Sequence, residues 1–224
     1  MIADETFDEK INYEVAANYW SQIPATVDGM LVGFGYITKA DIEGSEKFLK
    51  DLFKAEASLE RERALDCGAG IGRITKNLLV KFFDKVDLVE QDQKFIQEAE
   101  KSIGTHENVG EFFNTGLQNL EFAHKYDVIW CQWVLGHLPE SDLIKFFKNC
   151  VGHLKPNGVI VVKENLTSKG GVELDEQDSS VTRSYSVMQD LFKAADLKCI
   201  KEWKQNNFPK FLYPVMMFAL RPAT

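Results

Sequence analysis

The chain has 224 residues, 45% of them hydrophobic and 27% charged, with a formal net charge of −8 at pH 7. That length supports one large domain with its own core, and the balance is that of a globular protein. The acidic surplus argues against generic nucleic-acid binding, which needs clustered Lys and Arg, and no apolar run approaches the roughly 20 residues that span a bilayer.

The acidic start, Met1-Ile2-Ala3-Asp4-Glu5, argues against a secretory or transit leader. Phe7, Ile11, Val15 or Ala16, and Tyr19 fall on one stripe and predict a helix over 7–20. In 23–35, Pro24 and three glycines disfavour a helix, and the aromatic and aliphatic groups on that backbone predict a lid. A second helix is predicted over 41–55, with Phe48, Leu49, Leu52 and Phe53 as its apolar face. Residues 1–58 are thus expected to be a helical extension and lid on a single domain spanning 1–224.

From Arg63 onward strands and helices alternate. Predicted strands are 64–67, 85–90, 109–113, 126–132 and 159–163; predicted helices are 72–82, 93–103 and 141–154, the last capped by Ser141. Lys155-Pro156-Asn157-Gly158 reads as a turn, and the continuous apolar run after it as a strand buried on both faces. A helix over 184–195 and two strands, 197–205 and 215–220, close the chain. This order predicts a mostly parallel sheet covered by helices on both faces, with an antiparallel edge. The cysteines Cys67, Cys131, Cys150 and Cys199 are widely spaced, as reduced buried thiols of a cytosolic or nuclear protein are, with no disulfide frame or zinc pattern.

Ala64-Leu65-Asp66-Cys67-Gly68-Ala69-Gly70-Ile71-Gly72-Arg73-Ile74-Thr75 reads as strand, glycine turn and helix. In an open α/β sheet that turn lies where ligands bind, beside free helix N–H groups. A dinucleotide fingerprint has its third glycine where Arg73 stands; here it comes one residue earlier, at Gly72. Asp66, two residues before the first glycine, is awkward beside a pyrophosphate and useful beside an ammonium. The turn therefore reads as a site for a cationic, phosphate-free adenosyl ligand, and Asp-x-Gly-x-Gly-x-Gly resembles motif I of the S-adenosylmethionine (SAM) methyltransferases. Val86-Asp87-Leu88-Val89-Glu90 ends in an acid about twenty residues on, suited to both ribose hydroxyls. Taken singly, a plain glycine turn and a solvated acid are the alternatives.

Three further stretches could carry chemistry, the first of them, after the fourth strand, on the same sheet edge as the glycine turn. Gln132 is expected at the methionine part of the ligand, Trp133 as a pocket wall and His137 at the mouth; a core tryptophan and a satisfied loop histidine compete. His106, His124 and His153 read as surface or helix residues. Leu117 is expected on the adenine face and Gln118 at its edge, against a plain turn after Asn114. Leu174-Asp175-Glu176-Gln177-Asp178-Ser179-Ser180-Val181 is either a solvated acidic loop or a pocket for a cation with a carboxylate that accepts a proton.

The strings Asn18-Tyr19-Trp20, Pro24-x-Thr26-Val27-Asp28-Gly29-Met30, Leu65 to Lys76, Gln132-Trp133-Val134-x-Gly136-His137-Leu138 and Asp178-Ser179-Ser180-Val181 resemble the protein α-N-terminal methyltransferases along nearly the whole chain. The resemblance implies a class I SAM-dependent fold: α/β, Rossmann-like, a mostly parallel seven-stranded sheet with helices on both faces and an N-terminal helical extension. It implies methylation of the free α-amine of proteins that begin, after Met removal, with Xaa-Pro-Lys or Xaa-Pro-Arg, up to trimethyl, or dimethyl on proline. Implied catalytic residues are Asp178 and His137, both proton acceptors. Implied cofactor contacts are Gly68, Arg73, Glu90, Leu117, Gln118 and Gln132, with Arg73 on the methionine carboxylate. Implied substrate contacts are Trp20, Trp133, Asn165, Asp175, Ser180 and Tyr213, and no metal is implied. The cofactor is SAM, leaving as S-adenosyl-L-homocysteine. Implied partners are basic N-termini of ribosomal and chromatin proteins, in nucleus and cytoplasm, without direct nucleic-acid or membrane contact. Two positions depart from the family: Glu90 stands where Asp is common, and 169–173 is glycine-rich. The competing readings are a small-molecule or RNA methyltransferase on the same fold and a non-catalytic module that captures N-termini.

Overall fold

The structure is a computed structural model that describes residues 10–223. Its centre is a seven-stranded sheet of order β3-β2-β1-β4-β5-β9-β8. The strands are β1 (Arg63–Cys67), β2 (Lys85–Glu90), β3 (Val109–Asn114), β4 (Tyr126–Gln132), β5 (Leu154–Asn165), β8 (Leu197–Lys204) and β9 (Val215–Pro222). The first five run parallel, while β9 is antiparallel to both β5 and β8. The parallel strands end together at Cys67, Glu90, Asn114 and Gln132, so the loops that follow them share one edge. The order turns back between β1 and β4, and the glycine turn follows β1 at that switch point.

β4 is buried at every position, as a central strand between two helix layers requires. One layer packs α3 (Thr38–Ala55) and α4 (Arg73–Asn77) around Phe48, Leu52, Trp130 and Val161. The other packs α6 (Glu140–Gly152) and α7 (Tyr185–Ala194) around Phe147, Phe192 and Phe218. α5 (Gln93–Ile103) covers the outer strands with Ile96, Ala99 and Ile103. Each such large side chain contributes about 1.5–3 kcal/mol by leaving water.

Several expectations are corrected. The first helix, α1 (Tyr13–Gln22), starts at Tyr13 because Asn12 is extended and caps it by accepting from the N–H groups of Glu14 and Val15; Phe7 lies outside the described residues. The 23–35 segment holds a short helix, α2 (Val27–Met30), capped by the Thr26 side chain on the Gly29 N–H. The helix after the glycine turn breaks at Leu78 and resumes as a 3-10 turn, Leu79–Lys81. Ser141 is no cap: α6 starts one residue earlier behind Pro139, whose carbonyl accepts from Leu143. Lys155 to Gly158 belongs to β5 rather than to a separate turn. The acidic span is the tip of a hairpin, β6 (Val172–Asp175) and β7 (Ser180–Arg183), which stands outside the main sheet.

Candidate active site

The glycine turn leaves its backbone open to a cleft at the strand ends. Gly68 has φ +67°, and a Cβ there would meet Val134 Cγ2 at 2.5 Å, so glycine is required by both conformation and space. Asp66 lines the cleft, yet its Oδ2 is engaged by Thr75, accepting from the N–H at 3.1 Å and the hydroxyl at 2.7 Å. Burial pushes its carboxyl up to about 6. Through Oδ2 it fastens the start of α4 while the side chain still lines the cleft. Glu90 Oε2 accepts from the Gly70 N–H at 2.9 Å and Oε1 from the Asp92 N–H at 2.8 Å. Each oxygen keeps acceptor capacity for a hydroxyl.

Behind the cleft lies a buried charge cluster. Asp41 of α3 takes Arg73 Nη1 at 2.6 Å and Lys163 Nζ at 2.5 Å, and accepts from Gln132 Nε2 at 2.9 and 3.1 Å. Arg73 therefore has an internal partner as well as a face in the cleft. Gln132 is likewise fixed, its Oε1 accepting from Trp130 Nε1 at 3.2 Å.

The loop after β4 is gripped from two sides. Glu164 Oε1 accepts from the N–H groups of Val134 and Leu135, both at 2.9 Å. Arg183 of β7 donates to the carbonyls of Leu135 at 2.9 Å and Leu138 at 2.6 Å. A Cβ on Gly136 would meet the Val181 carbonyl at 2.6 Å, so β7 lies directly on this loop. The grip holds Trp133 at φ +53°, a strained conformation for a bulky residue and one that concentrates at functional sites. The Trp133 ring faces the cations of Arg73 at 5.6 Å and Lys163 at 5.9 Å, and its buried Nε1 has no hydrogen-bond partner among the described residues.

The N-terminal helix roofs the cleft. Tyr13 donates to Asp142 Oδ2 at 2.6 Å, the Asn12 N–H to Ser179 Oγ at 2.7 Å, and Lys94 to the carbonyls of Ser21 and Ile23, both at 2.6 Å. Trp20 is held over the mouth, its Nε1–H donating to His137 Nε2 at 3.2 Å. Burial lowers the His137 pKa, and the negative charges of Asp178 and Asp175 oppose that shift. Its Nδ1 lies against the Ser179 backbone without hydrogen-bond geometry.

Of the residues singled out in the sequence, Trp20, Gly68, Arg73, Glu90, Leu117, Gln118, Gln132, Trp133 and His137 line one cleft. Asp178, Asp175, Ser180, Asn165 and Tyr213 stand outside its walls. Asp178 Oδ1 accepts from the Ser180 N–H at 3.1 Å and Asp175 Oδ1 from the Gln177 N–H at 2.9 Å, at the hairpin tip beside the mouth. Asn165 ends β5, and the Tyr213 hydroxyl donates to Glu173 at 3.3 Å. Sequence reasoning missed Asp41, Lys163, Glu164 and Arg183. Their partners lie 29 to 122 positions away, beyond any local pattern.

The donor set fits a zwitterionic adenosyl cofactor: a cationic Arg73 at one end, the apolar Leu117 with Gln118 at the other, and Glu90 between. A family model for AdoMet-dependent proline di-methyltransferases, AdoMet being SAM, matches residues 8–221. The chain belongs to this family. It is a SAM-dependent methyltransferase. The N-terminal Xaa-Pro-Lys N-methyltransferase 1 of Homo sapiens is 44% identical over 224 residues, 99% of this chain and all of that one. The protein of the same name from Xenopus tropicalis is 44% identical over 96% of this chain and 97% of its own. A solved SAM-dependent methyltransferase from Leishmania major superposes with a TM-score of 0.88 at 39% identity, covering 93% of this chain and 82% of that one. The expected family and sheet architecture thus hold for this methyltransferase.

Proposed function

We propose that this enzyme methylates the free α-amine of proteins whose exposed N-terminus reads Xaa-Pro-Lys or Xaa-Pro-Arg. The observation that carries the reading is the mouth of the cleft: two indoles, Trp20 and Trp133, line it, and the acidic tip of the β6–β7 hairpin stands beside it. The names and near-complete coverage of the human and Xenopus relatives support the same substrate class.

SAM, when bound along Gly68, Arg73, Glu90, Leu117, Gln118 and Gln132, supplies a methyl group on a positively charged sulfur. The chain's own residues prepare the acceptor. An α-amine has a pKa of about 7.7–8.0, so a modest push yields the neutral nucleophile. Asp178 is the acceptor for that proton, directly or through water: it is half-buried, with Oδ1 engaged by the Ser180 N–H and Oδ2 without a hydrogen bond among the described residues. His137 Nε2 already accepts from Trp20, so in this scheme it takes a proton only when that indole swings away. The faces of Trp20 and Trp133 attract the ammonium that develops as methyl groups accumulate. Asn165 and Ser180 hold the substrate backbone, Tyr213 forms an outer wall, and Asp175 and Asp178 meet the basic third residue. The segment from α1 to α3 acts as the lid. Ribosomal and chromatin proteins that begin this way are the partner class.

Label transfer from SAM to a peptide starting Ser-Pro-Lys, set beside the same peptide acetylated at its α-amine, tests the reading. Labelling of the free-amine peptide alone is expected; equal labelling of both overturns it.

A further inference from the structure

We propose that Lys163 is a positioning residue for the cofactor: by neutralising Asp41 it leaves Arg73 able to hold the cofactor's carboxylate. Lys163 is fully buried on β5 and does not line the cleft. Its Nζ has four oxygens within reach: Asp41 Oδ1 at 2.5 Å, the Asp41 carbonyl at 3.1 Å, Ser45 Oγ at 2.8 Å and Gln205 Oε1 at 2.8 Å. A neutral amine would turn its lone pair toward this oxygen cage; an ammonium has three N–H groups to give it. Lys163 is therefore the charged form, held by α3, β5 and the end of β8.

The charge count decides the role. Asp41, also fully buried, is one carboxylate between two cations, Lys163 on Oδ1 and Arg73 on Oδ2. Within this trio one positive charge is left over, and Arg73, whose side chain is 6% exposed, is the member that reaches the cleft; Asp66, whose charge also acts on Arg73, has its Oδ2 tied to Thr75. A buried surplus charge is costly unless an anion meets it. An amino-acid carboxylate arriving from the cleft does so. Without Lys163, Asp41 and Arg73 form a neutral pair and Arg73 has no charge to spare. Asp41 also holds the Gln132 amide, so the same carboxylate aligns two cleft residues. The proposal rests on the reading that Arg73 faces the cofactor's carboxylate.

Calorimetric titration tests it with two ligands: S-adenosylhomocysteine, which carries that carboxylate, and 5′-methylthioadenosine, which keeps the adenosine and thioether but lacks the amino-acid end. Lys163→Met is expected to weaken S-adenosylhomocysteine at least tenfold while methylthioadenosine stays within twofold. The double variant Lys163→Met/Asp41→Asn removes the competing acid with its partner and is expected to recover most of the loss. Parallel loss of both ligands in Lys163→Met, no loss of either, or a selective loss that the double variant does not recover overturns the proposal. If Lys163→Met does not fold, the double variant carries the comparison alone, and a selective loss in it overturns the proposal. Arg73→Met isolates the underlying reading: a selective loss supports it, and its absence overturns both.

Discussion

The indole N–H of Trp20 donates to Nε2 of His137 at 3.2 Å, joining the N-terminal helix to the loop after β4. An indole N–H only donates, so His137 Nε2 is unprotonated and the ring is the Nδ1–H tautomer. Trp20→Phe removes that donor and with it one stabiliser of the neutral ring. The His137 pKa, held down by burial, is expected to rise toward its ordinary value in an NMR titration. Peptide kcat/KM is expected to fall about tenfold or more, since about 1.4 kcal/mol of transition-state stabilisation is a tenfold rate. An unchanged His137 titration would show that the contact is incidental.

Glu164 makes a pH-dependent contribution to stability. Burial pushes its carboxyl up to about 7, from 4.5. Because the folded state keeps this proton longer than the unfolded one, the stability it contributes is full below about pH 4.5 and is lost as pH rises through 7. The loss is on the order of 3 kcal/mol. Glu164→Gln keeps an oxygen for the N–H groups of Val134 and Leu135 and removes the titration. Urea unfolding at pH 5 and pH 8 is expected to show a smaller decline for the variant than for the parent. Identical declines would contradict this account.

Gly136 marks the closest approach of the hairpin to the β4 loop. Gly136→Ala sets a Cβ against the Val181 carbonyl at 2.6 Å, a backbone atom that cannot swing aside. The expected cost is about 1–3 kcal/mol in stability, with a rise in peptide KM as β7 shifts. Gly152→Ala, at the helical end of α6 where a Cβ has open space, is the matched control and is expected to leave peptide KM unchanged and stability equal or up to about 1 kcal/mol higher.

The sheet was legible from its alternating runs, and the glycine turn from its spacing, because those signals lie within a dozen residues of sequence. The hairpin's two strands were not: Val172-Glu173-Leu174-Asp175 and Ser180-Val181-Thr182-Arg183 are too short for a period, and the acids of the tip read either as a solvated loop or as a pocket for a cation. α2 was hidden by its glycines, though Thr26 three residues before Gly29 is a capping signal. The cleft walls on the strand ends and the loops after them could be named from their place in the sheet, and Trp20 on α1 from the family resemblance. The residues that hold those walls could not. Asp41 and Lys163 are 122 positions apart, and a lone lysine in an apolar strand carries no mark of its partner. His137 was legible as a mouth residue, but its engagement by Trp20 required the folded helix.

The roof of the cleft is fastened by few bonds, and two are easily removed. Ser179→Ala takes away the acceptor of the Asn12 N–H, and Tyr13→Phe the hydroxyl that reaches Asp142. Each is expected to cost about 0.5–1.5 kcal/mol locally. Amide exchange should quicken over 13–22 and stay unchanged in β4 and β5, with peptide KM raised and cofactor affinity less affected. Uniform acceleration across the sheet would assign these bonds to global stability instead.

Tandem mass spectrometry of a Ser-Pro-Lys peptide incubated with the enzyme and SAM bears most directly on the central claim, that the acceptor is a chain terminus. The account predicts that every added methyl group sits on the α-nitrogen of the first residue. Methyl groups on the lysine side chain, or an unmodified peptide beside active turnover of a small amine, would contradict it.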